Sequence, residues 1–151
     1  VSKSDAFEID ILAVLFNKTG IPNISDGGAA EEFFVSLHTA AITDPTTQST
    51  SEIAYDGYER QSLGRRSGFF LVGVAIDENR NRAINVDAIH FPRVGSAPSG
   101  NPTYWAIGTE REGTGKVLYW GSTSFTGTLS TGGFVSLRKL VVVEEDAGNS
   151  V

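Results

Sequence analysis

The sequence predicts a mainly β protein, an antiparallel β-sandwich or barrel with one short N-terminal α-helix. Three observations predict it. Short apolar or alternating runs recur along the chain, with turn residues between them. Seventeen glycines, with Ser and Thr spread throughout, punctuate those runs. Only one stretch, residues 4–17, carries apolar residues at helical spacing.

In the helix, Ser4 is a good N-cap, and Asp5 and Glu8 in the first turn complement the helix dipole. Phe7, Ile11, Val14 and Leu15 share a face that Leu12 and Phe16 widen, and Gly20 and Pro22 supply the stop. A helix this short needs that face covered, by its own sheet or by a neighbouring subunit. Asp26-Gly27-Gly28 is a turn, and Glu32 to Thr39 alternates as a strand. Residues 40–52 form a polar, Thr-rich loop long enough to read as a binding loop that orders on contact. Further strands are expected at Tyr58–Leu63, Phe69–Ile76, Ala83–Phe91, Thr103–Thr109, Lys116–Gly121, Ser122–Leu129 and Phe134–Val143. Glu112-Gly113-Thr114-Gly115 is a hairpin turn. The expected organisation is a helical arm over residues 1–25 and one β domain over residues 26–151, without repeats. The expected core is Phe33, Val35, Leu37, Phe69, Leu71, Val74, Ile76, Ile107, Leu118, Leu140 and Val142.

A length of 151 residues suffices for a real core. The net charge of −6 argues against binding nucleic acid, which takes a basic surface. The absence of cysteine excludes disulfides and thiolate metal sites. No apolar run approaches a membrane span. Asp5, Glu8 and Asp10 beside the Ile9–Phe16 run argue against a signal peptide.

No set of residues reads as an active site. His38 and His90 lack metal-ligand spacing and read as packing or hydrogen-bonding positions. Glu31/Glu32, Glu110/Glu112 and Glu144/Glu145/Asp146 are sequence neighbours at turn flanks, unlike carboxylates placed across a cleft. Asp77, Asn79 and Asn81 begin like a calcium loop, but no closing Glu follows. Gly113-Thr114-Gly115-Lys116 lacks both the first glycine and the Ser or Thr of a phosphate loop. Arg65-Arg66 reads as a solvated turn. Tyr104, Trp105, Tyr119 and Trp120 lie on two adjacent strands, as cross-strand core pairs or as an exposed platform for a sugar. No metal, cofactor or catalytic residue is expected.

Six segments, in order, resemble a family of small virion proteins of tailed bacteriophages, often labelled tail fibre proteins. They are Asp5-Ala6-Phe7-Glu8, Val35-Ser36-Leu37-His38-Thr39-Ala40, and Ser51-Glu52 with Tyr55-Asp56-Gly57-Tyr58-Glu59-Arg60. Ile89-His90-Phe91-Pro92, Trp105-Ala106-Ile107-Gly108 and Leu118-Tyr119-Trp120-Gly121 complete the series. The chain departs from the family at Ala41-Ile42-Thr43 and in its acidic C-terminal tail. The resemblance implies a virion part with no catalytic residues to carry over.

Within that class, a fibre is usually long, with repeats or a coiled coil, and this chain has neither. The expectation is therefore a non-enzymatic capsid decoration (cement) protein that bridges major capsid subunits and gains avidity from many copies. It would be made in the host cytoplasm and sit on the outer surface of the head. The alternative is a tail fibre or receptor-binding component that recognises a surface glycan. The expected partners are the major capsid protein or other virion proteins, and further copies of the chain, as a trimer. No contact with nucleic acid or membrane is expected. The residues expected to make the contacts are Phe7, Ile11, Val14 and Leu15 on the helix, with Asp44, Thr46, Thr47 and Gln48 in the loop.

Overall fold

The helix forms where the periodicity placed it, α1 covering Asp5–Asn17. Among the described residues nine strands follow: β1 (Glu32–His38), β2 (Gln61–Gly64), β3 (Phe70–Val74), β4 (Asn81–Asn85), β5 (Ile89–His90), β6 (Tyr104–Gly108), β7 (Val117–Ser122), β8 (Ser136–Leu137) and β9 (Val141–Val143). The computed structural model describes residues 5–17, 19, 32–42, 47–66, 68–74, 81–138 and 140–143. The expected cap at Ser4, the stop at Gly20 and Pro22, the turn at 26–28, Ile76 and the acidic tail lie outside them, as do the side chains of Val74 and Val142. The protein is mainly β, with antiparallel sheets and, among the described residues, a single short helix near the N-terminus. The strands fall into a four-stranded sheet ordered β2-β1-β6-β7, a three-stranded sheet ordered β3-β4-β9, and the pair β5-β8.

The chain divides into two compact units. The first comprises Val1–Glu31, Gly64–Ala88 and Lys139–Val151, and the second Glu32–Leu63 and Ile89–Arg138. In the first unit α1 packs against β3 and β4. Leu12 and Phe16 are fully buried, and the Phe16 ring sits 4.5 Å from that of Phe70. The helix therefore spends that part of its apolar stripe on its own sheet. Arg65 is buried and donates to the carbonyls of Val14 and Leu15. These are among the last carbonyls of the helix, which have no partner within it. The expectation of a solvated Arg65 is thus corrected: it caps α1. Arg66 is exposed and stacks over Phe69, 4.8 Å from the ring centre.

Within the Phe69–Ile76 run β3 covers Phe70–Val74, and the expectation that Phe69 and Leu71 are core is corrected. Phe70 is buried, whereas Phe69 is 38% and Leu71 64% exposed. Alternate residues of a strand face opposite sides, and a continuous apolar run does not say which side is inside. The side covered by α1 takes Phe70. Its register partner Asn85, and Ala83 opposite Val72, are buried with it.

In the second unit β1 lies inside the sheet, and Val35, Ser36, Leu37 and His38 are all fully buried. Trp105 and Ile107 of β6, with Ile53, Phe91, Val94 and Leu137, extend the core. Leu118 is half-buried rather than core, because β7 is an edge strand with one neighbour. The expected long strands Ala83–Phe91 and Phe134–Val143 are each interrupted, near the points where the chain passes from one unit to the other. Asn85 marks the first break: its side chain donates to Asp87 O and accepts from the Leu140 N–H. No strand continues from Ser122 to Leu129.

Candidate functional site

The polar residues that converge in the second unit come from four short stretches. Ser36 and His38 are two apart on β1, so they share a face. The segment 47–53 runs antiparallel beside the end of β1, with a bridge between His38 and Glu52. Tyr55 to Arg60 follows it. The loop joining β6 and β7 supplies Glu110 to Gly115.

His38 Nδ1 lies 2.8 Å from Thr50 O, and Nε2 lies 2.8 Å from Ser36 Oγ. A carbonyl only accepts, so Nδ1 carries the proton and Nε2 accepts from the serine hydroxyl. Burial pushes the His38 pKa below its ordinary value, so the ring is neutral at pH 7. A serine bonded to an oriented imidazole is the beginning of a nucleophile–base pair. Both residues are 0% exposed, however, and a substrate has no path to Oγ. The pair instead clips the 47–53 segment to the sheet.

Beside it, Arg60 and Glu52 form a two-pronged ion pair. Nε donates to Oε1 at 2.8 Å and Nη2 to Oε2 at 2.7 Å. The Tyr58 hydroxyl donates to Oε1 at 2.9 Å and accepts from the Leu37 N–H at 3.0 Å. The guanidinium also donates to Glu110 O at 3.0 Å and Gly113 O at 2.7 Å. The Arg60 side chain is 3% exposed and that of Glu52 16%. The bond to Glu52 raises the Arg60 pKa against the opposing cost of burial, so the cation is retained. Burial, then the charge of Glu52, pushes the Tyr58 phenol far up, and it stays a neutral donor. The Tyr58 ring packs edge-on against Tyr55 and stacks 6.2 Å from Phe91.

Gln48 completes the assembly. It is fully buried, its amide nitrogen donating to Phe34 O and its oxygen accepting from the Glu110 N–H. A Cβ at Gly108 or Gly115 would overlap the Gln48 side chain, so glycine at both positions makes its berth.

Of the residues expected to make contacts, Ile11, Val14 and Leu15 are half-buried on α1 in the first unit. Thr47 is half-buried in the second unit, where its hydroxyl bonds those of Ser49 and Thr50. Gln48 is a core residue with both ends bonded, so its side chain is not offered to a partner. The side chain of Phe7, and Asp44 and Thr46, lie outside the described residues. The reading of residues 40–52 as a loop that orders only on contact is corrected over 47–52, which are packed and bonded. The network itself was missed as a site. Ser36-x-His38 at strand spacing was its sequence signal, and the Glu52, Tyr58 and Arg60 contacts join positions that periodicity cannot link.

Trp105 is buried, Trp120 is 48% exposed, and Tyr104 and Tyr119 are half-buried. Trp105 faces Gly121 and Trp120 faces Ala106 in the β6–β7 register, so the two indoles are on opposite faces and the four rings form no single platform. Gly113-Thr114-Gly115-Lys116 is the hairpin connection, with Gly113 at φ 75°. His90 is exposed. Among the described residues no group of three or more His, Asp or Glu side chains is placed to hold a metal ion. Also among them, no helix is long and apolar enough to cross a membrane. Comparison of the chain with protein-family models, with curated proteins and with solved structures gave no match.

Proposed function

We propose that the protein is a non-enzymatic structural component of a tailed-bacteriophage virion, and within that class a capsid decoration protein that bridges major capsid subunits. One observation carries the reading. Among the residues that bear the resemblance, Ser36 bonds His38, and Glu52 bonds both Tyr58 and Arg60; His38 and Arg60 in turn hold the carbonyls of two loops. A constellation kept for chemistry would open to a substrate. This one stiffens a small β unit, as a protein that must survive on a particle surface requires. Gold-labelled antibody against the purified protein, applied to virions of the phage that encodes it, is the test. Label on the heads is the expected result, and particles without label overturn the virion reading.

Label on the tail favours the second reading, a receptor-binding component. Its support is Trp120, exposed on the edge strand β7, with Tyr104 on the same face. An exposed indole is a stacking surface for a sugar ring. Loss of glycan-array binding on Trp120→Ala is the outcome expected of that reading.

A further inference from the structure

We infer that one face of the β1-β6-β7 sheet is a binding ledge for a neutral saccharide, with Trp120 as its floor and the hydroxyls of residues 47–50 as its wall. The inference rests on the reading in which Trp120 stacks on a sugar, and it adds the chemistry of that sugar.

Strand pairing fixes the face. Paired residues put their side chains on the same side of a sheet, as do residues two apart on one strand. His38 pairs with Tyr104, Tyr104 pairs with Ser122, and Ser122 is two residues from Trp120. All four therefore share one face. The His38 ring is fully buried and bonds Thr50 O, so the 47–53 segment lies over this face on its β1 side. On the β7 side Ser122 is exposed, Trp120 is 48% exposed and Tyr104 is half-buried. The face is thus a step, raised over β1 and low over β6 and β7. Neighbouring strands lie about 4.8 Å apart, so β7 is roughly 10 Å from β1. A sugar ring laid on the indole of β7 reaches toward the segment above β1.

The side chains along the step suit the two sides of a sugar. The indole offers an apolar face for ring C–H groups. The wall offers a cluster of hydroxyls: Thr47 Oγ1 lies 3.0 Å from Ser49 Oγ and 3.2 Å from Thr50 Oγ1, and Ser49 and Thr50 are exposed. Tyr104 and Ser122 add two more hydroxyls on the floor. Hydroxyls both donate and accept, as those of a sugar do.

The distribution of charge makes the ligand neutral. Residues 94–109 and 117–137 hold β6, β7 and the chain that leaves β7, and they carry no Asp, Glu, Lys, Arg or His. One residue in five of the whole chain is charged, at 20%. Lys116 is four residues from Trp120, roughly 13 Å along an extended strand. Arg60 is buried and bonded to Glu52. The carboxylate of an acidic sugar would lose hydration here with no cation to receive it, whereas a neutral sugar exchanges hydroxyl partners for hydroxyl partners.

The test is a glycan array of neutral oligosaccharides and their sialylated or uronate-bearing counterparts, probed with the labelled full chain. Multivalent display makes a weak single contact readable. The expected result is binding confined to the neutral members and unchanged by high salt. Trp120→Ala and Ser122→Asp should each lower it by about tenfold or more, and Thr50→Val by less, in proteins that melt as the parent does. Trp120→Phe, which keeps an aromatic face, should retain part of it. Binding to acidic members alone, lost in Trp120→Ala, overturns the neutral ledge and leaves the stacking reading in place. Binding to no glycan overturns both. Binding that survives Trp120→Ala or Ser122→Asp unchanged also overturns the inference, because the ligand then sits elsewhere.

Discussion

Replacing Arg60 with Met keeps most of the stem and removes the charge, so it isolates what the buried guanidinium contributes. Four hydrogen bonds vanish: two to the Glu52 carboxylate and one each to Glu110 O and Gly113 O. Hydrogen bonds to charged groups are worth about 1.5–3 kcal/mol each, but they are not additive within one network. Breaking a buried ion pair by removing one partner costs about 3–5 kcal/mol, because the remaining charge stays in the interior uncompensated. Glu52 keeps 16% of its side chain in contact with solvent, which places the expected loss toward the lower end of that range. Arg111 and Glu59 give the control. They are 3.9 Å apart and 66% and 58% exposed, so Arg111→Met should cost within about 0.5 kcal/mol. Both tryptophans, Trp105 and Trp120, belong to the second unit. Urea unfolding followed by their fluorescence therefore reports the unit that holds the network. A double-mutant cycle with Glu52→Gln should return a coupling of about 1–3 kcal/mol. A loss below about 1 kcal/mol for Arg60→Met, on the scale of a surface change, would refute the view that this pair holds the unit together.

Three further outcomes follow from the same geometry. His38 is held below its ordinary pKa of 6.5, so in acid the unfolded chain binds a proton that the folded chain resists. Stability is then present above pH 6.5 and falls as pH drops from there toward the folded value; a His38→Gln variant should lack that slope in urea titrations, and an unchanged slope assigns it elsewhere. Gly108→Ala and Gly115→Ala should destabilise the second unit by displacing Gln48, whereas Gly73→Ala, with open space around its Cβ, should be neutral or stabilising by up to about 1 kcal/mol in thermal melts. Leu37→Ala and Ile107→Ala, both at 0% exposure, should each cost about 2–5 kcal/mol, while Leu71→Ala at 64% exposure should cost about 0.5 kcal/mol or less in a dilute sample.

Much of the fold was legible because period and punctuation are local signals. The helix was placed within a residue of its observed start, and β1, β6 and β7 within one or two residues of their ends. Where the reading failed, the deciding information lay elsewhere in the chain. Phe69-Phe70-Leu71-Val72 is apolar on both sides, so only α1, some fifty residues earlier, decides that Phe70 faces inward. Ala83–Phe91 and Phe134–Val143 each read as one strand, because nothing local says that the two ends of each run join different sheets. Gln48 reads in the sequence as a contact residue of a polar binding loop. Its burial depends on the absence of side chains at Gly108 and Gly115, sixty or more residues away.

The segment before the ion pair shows how far these distant contacts override local preference. Ser51 has φ 53°, the one non-glycine residue among those described with a positive value. A side chain in the left-handed region costs of order 1 kcal/mol or more, and such strain persists only where the surroundings impose it. Here they do. Ser51 O accepts from the Thr39 N–H at 2.9 Å, and the next residue, Glu52, is gripped by Tyr58 and Arg60. One residue further, the Ile53 N–H donates to Leu37 O and rejoins the sheet. The turn at Ser51 is therefore what lets one short segment send Gln48 under the β6–β7 loop, His38's acceptor into the interior and the Glu52 carboxylate to Arg60. Relaxing any one of these contacts loosens the others, so the polar interior is one structural device rather than several separate bonds.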